Sequence, residues 1–174
     1  NWIKECDLSI IFDIGNHSRL GEISNIIKRN DIYCVSIDHH PSDGSYFDYQ
    51  FLDIRSPATG FMIWQYFKYK NIVSFSKNIA KALYAALITD TGSFRYNSTT
   101  SECHVMAQEL LDSGIKPYDI YANIYEQRSL SQIKLFGKAI GSLKIVDEFG
   151  CIKISLSMLK ECDATLDDID GFTD

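Results

Sequence analysis

Two short apolar runs, each reaching an aspartate, constrain the fold of this 174-residue chain more than any other feature. LSIIFDIG (8–15) and DIYCVSID (31–38) have the length of strands and are almost continuously apolar or β-branched. Such runs are typical of strands buried on both faces of a parallel sheet. The segment between them has apolar residues at near-helical spacing: Leu20, Ile23, Ile26 and Ile27. The pattern predicts a β-α-β unit, in which a helix joins two parallel strands.

The next segments continue this alternation of strands and helices. DYQFLDI (48–54) predicts a third strand, and Ser56 and Pro57 are suited to be the N-cap and first residue of the helix that follows. Residues 76–92 carry an apolar stripe at helical spacing, which predicts a second well-defined helix.

Capping signals mark the beginnings of two further helices. Thr99 and Glu102 have the spacing of a capping box, and Gly114 is suited to end the helix that they begin. Pro117 can open another helix, which we expect to run to about residue 126.

The chain changes character near Ser142. Leu130–Ile140 predicts an amphipathic helix, and SLKIVDEFGCIKISLSM (142–158) alternates with period two on both sides of a Glu-Phe-Gly turn, which predicts an antiparallel hairpin. The predicted fold is therefore α/β. A parallel-sheet domain with helices on both faces covers residues 1–128, a linker helix covers 129–141, and a second α/β domain begins in 142–174.

Composition excludes several classes of protein. A net charge of −6 and a pI near 5.2 argue against a broadly basic surface that coats nucleic acid, although a metal ion or a local basic groove can still bind an anionic substrate. Five cysteines without a CxxC pair fit the reduced thiols of a cytoplasmic protein. The sequence has no signal-peptide pattern and no apolar run of about 18 residues, so we expect no association with a membrane.

Acidic and histidine residues follow three of the predicted elements. Asp13 follows the first strand, Asp38, His39 and His40 follow the second, and Asp90 lies at the end of the helix in 76–92. Ligands bind at the carboxyl ends of strands in open α/β sheets, so the first two groups are expected at the same edge. Each has an ordinary alternative, since Asp13 or Asp90 can form a turn or cap and two histidines can simply be solvated.

Carboxylates and neutral imidazoles together suit divalent ions such as Mn²⁺. Asp13 is short and follows a buried strand, so it is suited to bridge two ions in a phosphoester site. Adjacent residues point in different directions, so one histidine can bind metal while the other contacts substrate. Asp38 is then a candidate to fix a histidine tautomer.

SIDHHPS (36–42) resembles the Asp-His-His signature of the DHH phosphoesterase superfamily. IIFDIGNHSRLG (10–21) is similar to that family's second motif, and AALITDTGSFRYNSTTSECHVMAQELLDSGI (85–115) is similar to its fourth. The separations also match, with 25 residues from Asp13 to Asp38 and 52 from Asp38 to Asp90. TDTGSFRYNSTT and the downstream ANIYEQRSLSQIKLFG are most similar to the branch of bifunctional oligoribonucleases and 3'-phosphoadenosine-5'-phosphate (PAP) phosphatases, the RecJ-like nanoRNases.

The resemblance implies a role for each matched residue. Asp13 would bridge two metal ions, and His39 and Asp90 would bind one of them. His40 would contact substrate phosphate, with Asp38 behind the histidine pair. Arg95 is a weaker candidate for binding phosphate through its guanidinium group, since a structural arginine fits equally well.

The implied activity is metal-dependent hydrolysis of short oligonucleotides, of PAP, or of both, with two Mn²⁺ ions, or Mg²⁺ or another divalent ion in their place. The partner would be a phosphorylated nucleotide or a short RNA or DNA, and a homodimer is left open. Two alternatives are a catalytically weak nucleotide- or metal-binding module on the same scaffold and a cyclic-dinucleotide phosphodiesterase.

Two departures from the family pattern temper this expectation. The family's first motif, a His-x-x-Pro-Asp-x-Asp loop that supplies further metal ligands, has no counterpart in the chain. The DHHA1-type substrate-binding domain is matched only by its beginning, in residues 142–174. We therefore expect the isolated chain to be inactive or nearly so.

Overall fold

The computed structural model describes residues 2–42, 47–72, 74–170 and 172, with the side chains of Trp2 and His17 left aside. The chain divides into two compact units, Asn1–Ile120 and Tyr121–Asp174. In the described part of the chain, no helix is both long enough and apolar enough to cross a membrane.

The first unit begins with the predicted β-α-β arrangement. Strands β1 (Leu8–Phe12), β2 (Tyr33–Asp38) and β3 (Tyr49–Leu52) form a parallel sheet in the order β1-β2-β3, and α1 (Glu22–Arg29) connects the first two. Phe12 is the register partner of Ile37, which is in turn the partner of Phe51. The carboxyl ends of the strands therefore lie side by side, and the residues that follow β1 and β2 meet at one edge.

The two faces of this sheet differ in burial. On one face, Ile11 and Cys34 are buried in a small core together with Ile27 of α1 and Ile32. On the other face, large apolar side chains are about half exposed: Leu8, Ile10, Phe12, Tyr49 and Phe51.

A larger core lies among the helices that follow the sheet. These are α2 (Thr59–Tyr69), α3 (Lys77–Asp90), α4 (Ser101–Leu111) and α5 (Pro117–Tyr125), the last of which crosses the boundary between the units. Their most deeply buried side chains include those of Leu87, Met106 and Leu110. Helices α2 and α3 approach closely where Gly60 faces Ala86, since a Cβ atom on Gly60 would lie 2.6 Å from Cβ of Ala86.

Two helices begin at different residues from those predicted. Helix α2 begins at Thr59 with Ala58 as N-cap, because the Ser56 hydroxyl donates to the Ala58 carbonyl (3.0 Å) and does not cap a backbone N–H. Helix α4 begins after Thr100, and the backbone N–H of Thr100 donates to Sγ of Cys103 (3.3 Å). A thiol therefore fills the role that the sequence pattern gave to a glutamate.

The second unit contains the predicted helix and hairpin. Helix α6 (Leu130–Gly141) is followed by β4 (Lys144–Val146) and β5 (Phe149–Cys151), which pair antiparallel, and then by α7 (Leu156–Glu161). Because Val146 pairs with Phe149, the turn consists of residues 147 and 148, whereas the predicted turn was Glu-Phe-Gly at 148–150. A small core holds this unit together: Leu135, Leu159 and Cys162.

Candidate metal centre

Asp13 enters the site from the end of β1. Its backbone has a φ of 62°, in the left-handed region that aspartate tolerates better than most residues, and its N–H donates to the Ile37 carbonyl of β2 (3.1 Å). The side chain is 48% exposed, and its Oδ1 accepts a hydrogen bond from the Thr59 hydroxyl (2.8 Å). The carboxylate is therefore held by the first residue of α2 while it remains accessible to a ligand.

His39 follows directly after β2 and is oriented by a backbone carbonyl. Its Nδ1 lies 3.0 Å from the carbonyl oxygen of Ser56. A carbonyl oxygen can only accept, so Nδ1 carries a proton; in the neutral form of the ring, Nε2 then presents its lone pair. Nε2 is buried and has no hydrogen-bond partner among the described residues, which is the condition of a nitrogen placed to bind a metal ion.

His40 turns to a different partner, the carboxylate of Asp38. Oδ1 of Asp38 accepts from the backbone N–H of His40 (2.7 Å) and from its Nδ1 (2.8 Å). Asp38 is completely buried, whereas the His40 side chain is 44% exposed. The acid therefore holds the second histidine in one orientation.

Asp90 completes the cluster from the last residue of α3. Its Oδ2 lies 3.5 Å from Nε2 of His39, and Oδ1 of Asp13 lies 3.6 Å from the same nitrogen. Burial, and after it the negative charge of Asp13, raise the pKa of Asp90, while His39, the Thr89 hydroxyl and His40 act in the opposite direction. The carboxylates of Asp13 and Asp90 both approach the same ring nitrogen, so they repel one another. A cation between them would relieve that repulsion.

These side chains fit a divalent metal ion. Asp13, His39 and His40 each offer a ligand atom, and the three atoms lie within 4.8 Å of one another. Nε2 of His39, which makes no hydrogen bond to a described residue, faces the oxygens of Asp13 and Asp90, and together they form an imidazole and carboxylate donor set. Such sets suit first-row divalent ions.

Five of the six residues singled out from the sequence come together here, and Arg95 does not join them. Its Nε donates to the Gly92 carbonyl (2.7 Å) at the turn that follows α3. Among the described residues, no hydrogen bond or ion pair connects Arg95 to a carboxylate of the cluster. Its contact is that of a residue that stabilises the turn.

The sequence analysis missed Ser56 and Thr59. Both act through hydrogen bonds to the cluster, Ser56 to His39 and Thr59 to Asp13. The only signal in the sequence was a Ser-Pro pair ahead of an apolar helix, and that pattern is equally typical of an ordinary helix start.

A small hollow adjoins the carboxylates of Asp13 and Asp90. Its volume is about 230 Å³, smaller than the roughly 300–1,000 Å³ of sites for drug-sized ligands. Phe12, Ile63 and Leu83 form part of its lining.

Comparison with known proteins gives relatives in sequence and in structure, although no family model matches the chain. The probable bifunctional oligoribonuclease and PAP phosphatase NrnA of Streptococcus mutans is 33% identical over 104 residues, which are 60% of this chain and 32% of that protein. The bifunctional oligoribonuclease and PAP phosphatase NrnA of Bacillus subtilis is 28% identical over 139 residues, 79% of this chain and 43% of that protein. The crystal structure of an exopolyphosphatase-related protein from Bacteroides fragilis superimposes with a TM-score of 0.89 and 26% identity, covering 98% of this chain and 51% of that one.

These likenesses confirm the α/β fold class, and they confirm the resemblance to the oligoribonuclease and PAP phosphatase branch of the DHH superfamily. The chain spans about a third to two fifths of the length of these two curated relatives and about half of the solved structure.

Proposed function

We propose that this chain carries the metal-binding half of a phosphoesterase that hydrolyses short oligonucleotides, PAP, or both. One observation supports the proposal above the others: Nε2 of His39 is buried, accepts no hydrogen bond from any described residue, and faces the carboxylates of Asp13 and Asp90 at 3.6 and 3.5 Å. The names of the curated relatives supply the class of reaction and substrate.

In this proposal Asp13, His39 and Asp90 would hold the metal, with Mn²⁺ as the preferred ion, and Asp13 would serve both ions of a two-ion site. When bound, such ions polarise a phosphoryl group and lower the pKa of water. The chain's own contribution is to fix the donors: the Ser56 carbonyl sets the tautomer of His39, and the Thr59 hydroxyl holds the carboxylate of Asp13.

His40 is proposed to contact the substrate phosphate. Its Nδ1 is held by the buried Asp38, and no hydrogen bond in the described part of the chain engages its Nε2. Because Nδ1 donates to Asp38, Nε2 would donate to a phosphoryl oxygen in the protonated ring, in which both nitrogens carry a hydrogen. A donor fixed in advance in this way stabilises charge that develops on that oxygen without having to reorganise. Asp38 is then a positioning residue, because it acts through His40.

The remaining proposals concern the whole protein. Residues 142–174 would begin the DHHA1-type substrate-binding domain, after a DHH domain over 1–128 and a linker helix over 129–141. Arg95, although engaged with the turn, remains a weaker candidate for substrate binding. The five free cysteines support action in the reducing cytoplasm.

The proposal is tested by hydrolysis assays on the full-length gene product with added Mn²⁺. The substrates are a short RNA, PAP and a cyclic dinucleotide. We expect Asp13→Asn to reduce hydrolysis by about 100-fold or more, because it removes a ligand charge from the centre. Asp31→Asn is the matched control. Asp31 also has a positive φ (53°), but it precedes β2, whereas the metal centre lies beyond the carboxyl end of that strand.

Full activity of Asp13→Asn would contradict the assignment of Asp13. Hydrolysis of the cyclic dinucleotide alone would favour the cyclic-dinucleotide phosphodiesterase. Binding of PAP without turnover of any substrate would favour the nucleotide-binding module.

A further inference from the structure

Asp13 needs external support to present its carboxylate in one orientation. It lies just beyond the end of β1, has left-handed backbone geometry, and its side chain is nearly half exposed. An exposed aspartate in this position would otherwise sample several rotamers, and that freedom would have to be lost on binding a ligand.

Thr59 supplies that support from a rigid position. It is the first residue of α2 and is only 5% exposed, so its side chain is confined by the surrounding structure. Its hydroxyl donates to Oδ1 of Asp13 at 2.8 Å, and this is the same oxygen that lies 3.6 Å from Nε2 of His39. A carboxylate oxygen can accept more than one contact, so this hydrogen bond leaves Oδ1 able to bind a cation.

The link joins two distant parts of the sequence. Asp13 and Thr59 are 46 residues apart. Three residues before Thr59, Ser56 provides the carbonyl that orients His39. The start of α2 therefore determines the orientation of two of the three proposed metal ligands.

We infer that Thr59 is a positioning residue of the metal centre, whose hydroxyl fixes the carboxylate of Asp13 for metal binding. This inference rests on the proposed function. Hydrogen-bonded partners of metal ligands typically change metal affinity by about 10–100-fold when they are removed.

The alternative is that Thr59 serves packing alone. Thr59 lines the hollow together with Phe12 and Gly60, and in a packing role its γ-methyl group would be the part that matters. Two substitutions separate these roles. Thr59→Val keeps the branched shape and removes the hydroxyl, whereas Thr59→Ser keeps the hydroxyl and removes the methyl group.

The experiment is isothermal titration of Mn²⁺ into the 174-residue chain and its variants, with the unfolding temperature of each metal-free variant as a check on folding. We expect Thr59→Val to weaken Mn²⁺ binding about 10-fold or more and Thr59→Ser to bind within about threefold of the wild type. Asp13→Asn is included to show that the measured binding occurs at this centre.

The outcomes distinguish the inference from the proposed function. If the wild type binds Mn²⁺ and Thr59→Val binds equally well, the positioning role of Thr59 is wrong while the metal site stands. Equal weakening by Thr59→Ser and Thr59→Val would assign the effect to packing and would also overturn the inference. A wild-type chain that does not bind Mn²⁺, or that binds it as well after Asp13→Asn, would overturn the proposed metal site and this inference with it.

Discussion

Asp90 is held in a position that is costly for a carboxylate when no cation is present. It is the last residue of α3, where the helix dipole disfavours negative charge, it is largely buried, and the charge of Asp13 is nearby. Burial is the largest cause of its raised pKa. The negative charge of Asp90 therefore lowers the stability of the metal-free fold, and the same charge attracts a metal ion.

We therefore expect Asp90→Asn to stabilise the metal-free chain at pH 7, by about 1 kcal/mol in the free energy of unfolding. Because the pKa of Asp90 is raised in the folded state, the folded chain binds this proton more tightly than the unfolded chain does. The stability that the proton contributes is fully present below the ordinary aspartate pKa and is lost as the pH rises through the raised value. The gain from Asp90→Asn should accordingly be largest at neutral pH and disappear in acid.

Urea denaturation of the metal-free variants between pH 3 and pH 7 measures this effect. Asp112→Asn is the matched control, because Asp112 also lies at the C-terminal end of a helix, as the C-cap of α4, but is exposed. We expect it to change the free energy of unfolding by less than about 0.5 kcal/mol. A loss of stability in Asp90→Asn at pH 7 would show that the charge of Asp90 is compensated in the metal-free fold.

The sequence could predict which acidic and histidine residues converge, but not what holds them in place. Asp13 and His39 follow adjacent parallel strands, so the topology alone brings them to one edge. The hydrogen bonds from Thr59 and to Ser56 depend on where α2 packs in three dimensions. The roles of the individual ligands remain predictions.

Among the helices and strands, periodicity predicted which segments are helical better than it predicted where each helix begins. The apolar stripe of α3 identified that helix, because burial of one face is what stabilises it. The start of α2 was predicted too early because the Ser56 hydroxyl donates to a carbonyl and leaves the cap to Ala58. Caps are decided by single hydrogen bonds, for which side chains have alternatives that the sequence does not reveal.

The close approach of α2 and α3 gives a test of packing. Alanine is normally favoured over glycine within a helix, by about 1 kcal/mol. At Gly60 the added Cβ would lie 2.6 Å from Cβ of Ala86, which forces the helices apart. We expect Gly60→Ala to destabilise the first unit by about 1–3 kcal/mol, as overpacking does.

Gly137→Ala is the matched control in α6. No atom of the described residues lies within 4 Å of a Cβ atom at Gly137, so the same substitution should stabilise its helix by about 0.5–1 kcal/mol. Thermal unfolding monitored by circular dichroism measures both variants. A stabilised Gly60→Ala protein would show that α2 and α3 can separate at little cost.

At the scale of the whole molecule, the alternation of strand and helix patterns correctly predicted the α/β class. It did not predict how far each face of the sheet is buried. Apolar runs such as β1 predict strands that are covered on both faces. In the structure Ile11 is buried, while its neighbours Ile10 and Phe12 on the opposite face are about half exposed. Sequence periodicity identifies a strand, but it does not show which layers of structure cover it.

Metal binding should also be visible in the stability of the whole chain. A ligand that binds only the folded state raises the free energy of unfolding, by about 2.7 kcal/mol when its concentration is 100 times the dissociation constant. If the centre holds Mn²⁺, the unfolding temperature of the wild-type chain should rise by several degrees in Mn²⁺. All variants keep the same acidic surface residues, so Mn²⁺ bound at those residues shifts the unfolding temperature of every variant equally.

The most direct test of the metal centre is therefore the change in unfolding temperature caused by Mn²⁺ in the wild type, His39→Gln and His104→Gln. His104 is the matched histidine, since its ring stacks on Phe94 with centroids 4.9 Å apart and takes no part in the cluster. We predict that Mn²⁺ stabilises the wild type and His104→Gln to the same extent and that His39→Gln loses most of the effect. Equal stabilisation of all three proteins, or no stabilisation of the wild type, would contradict it.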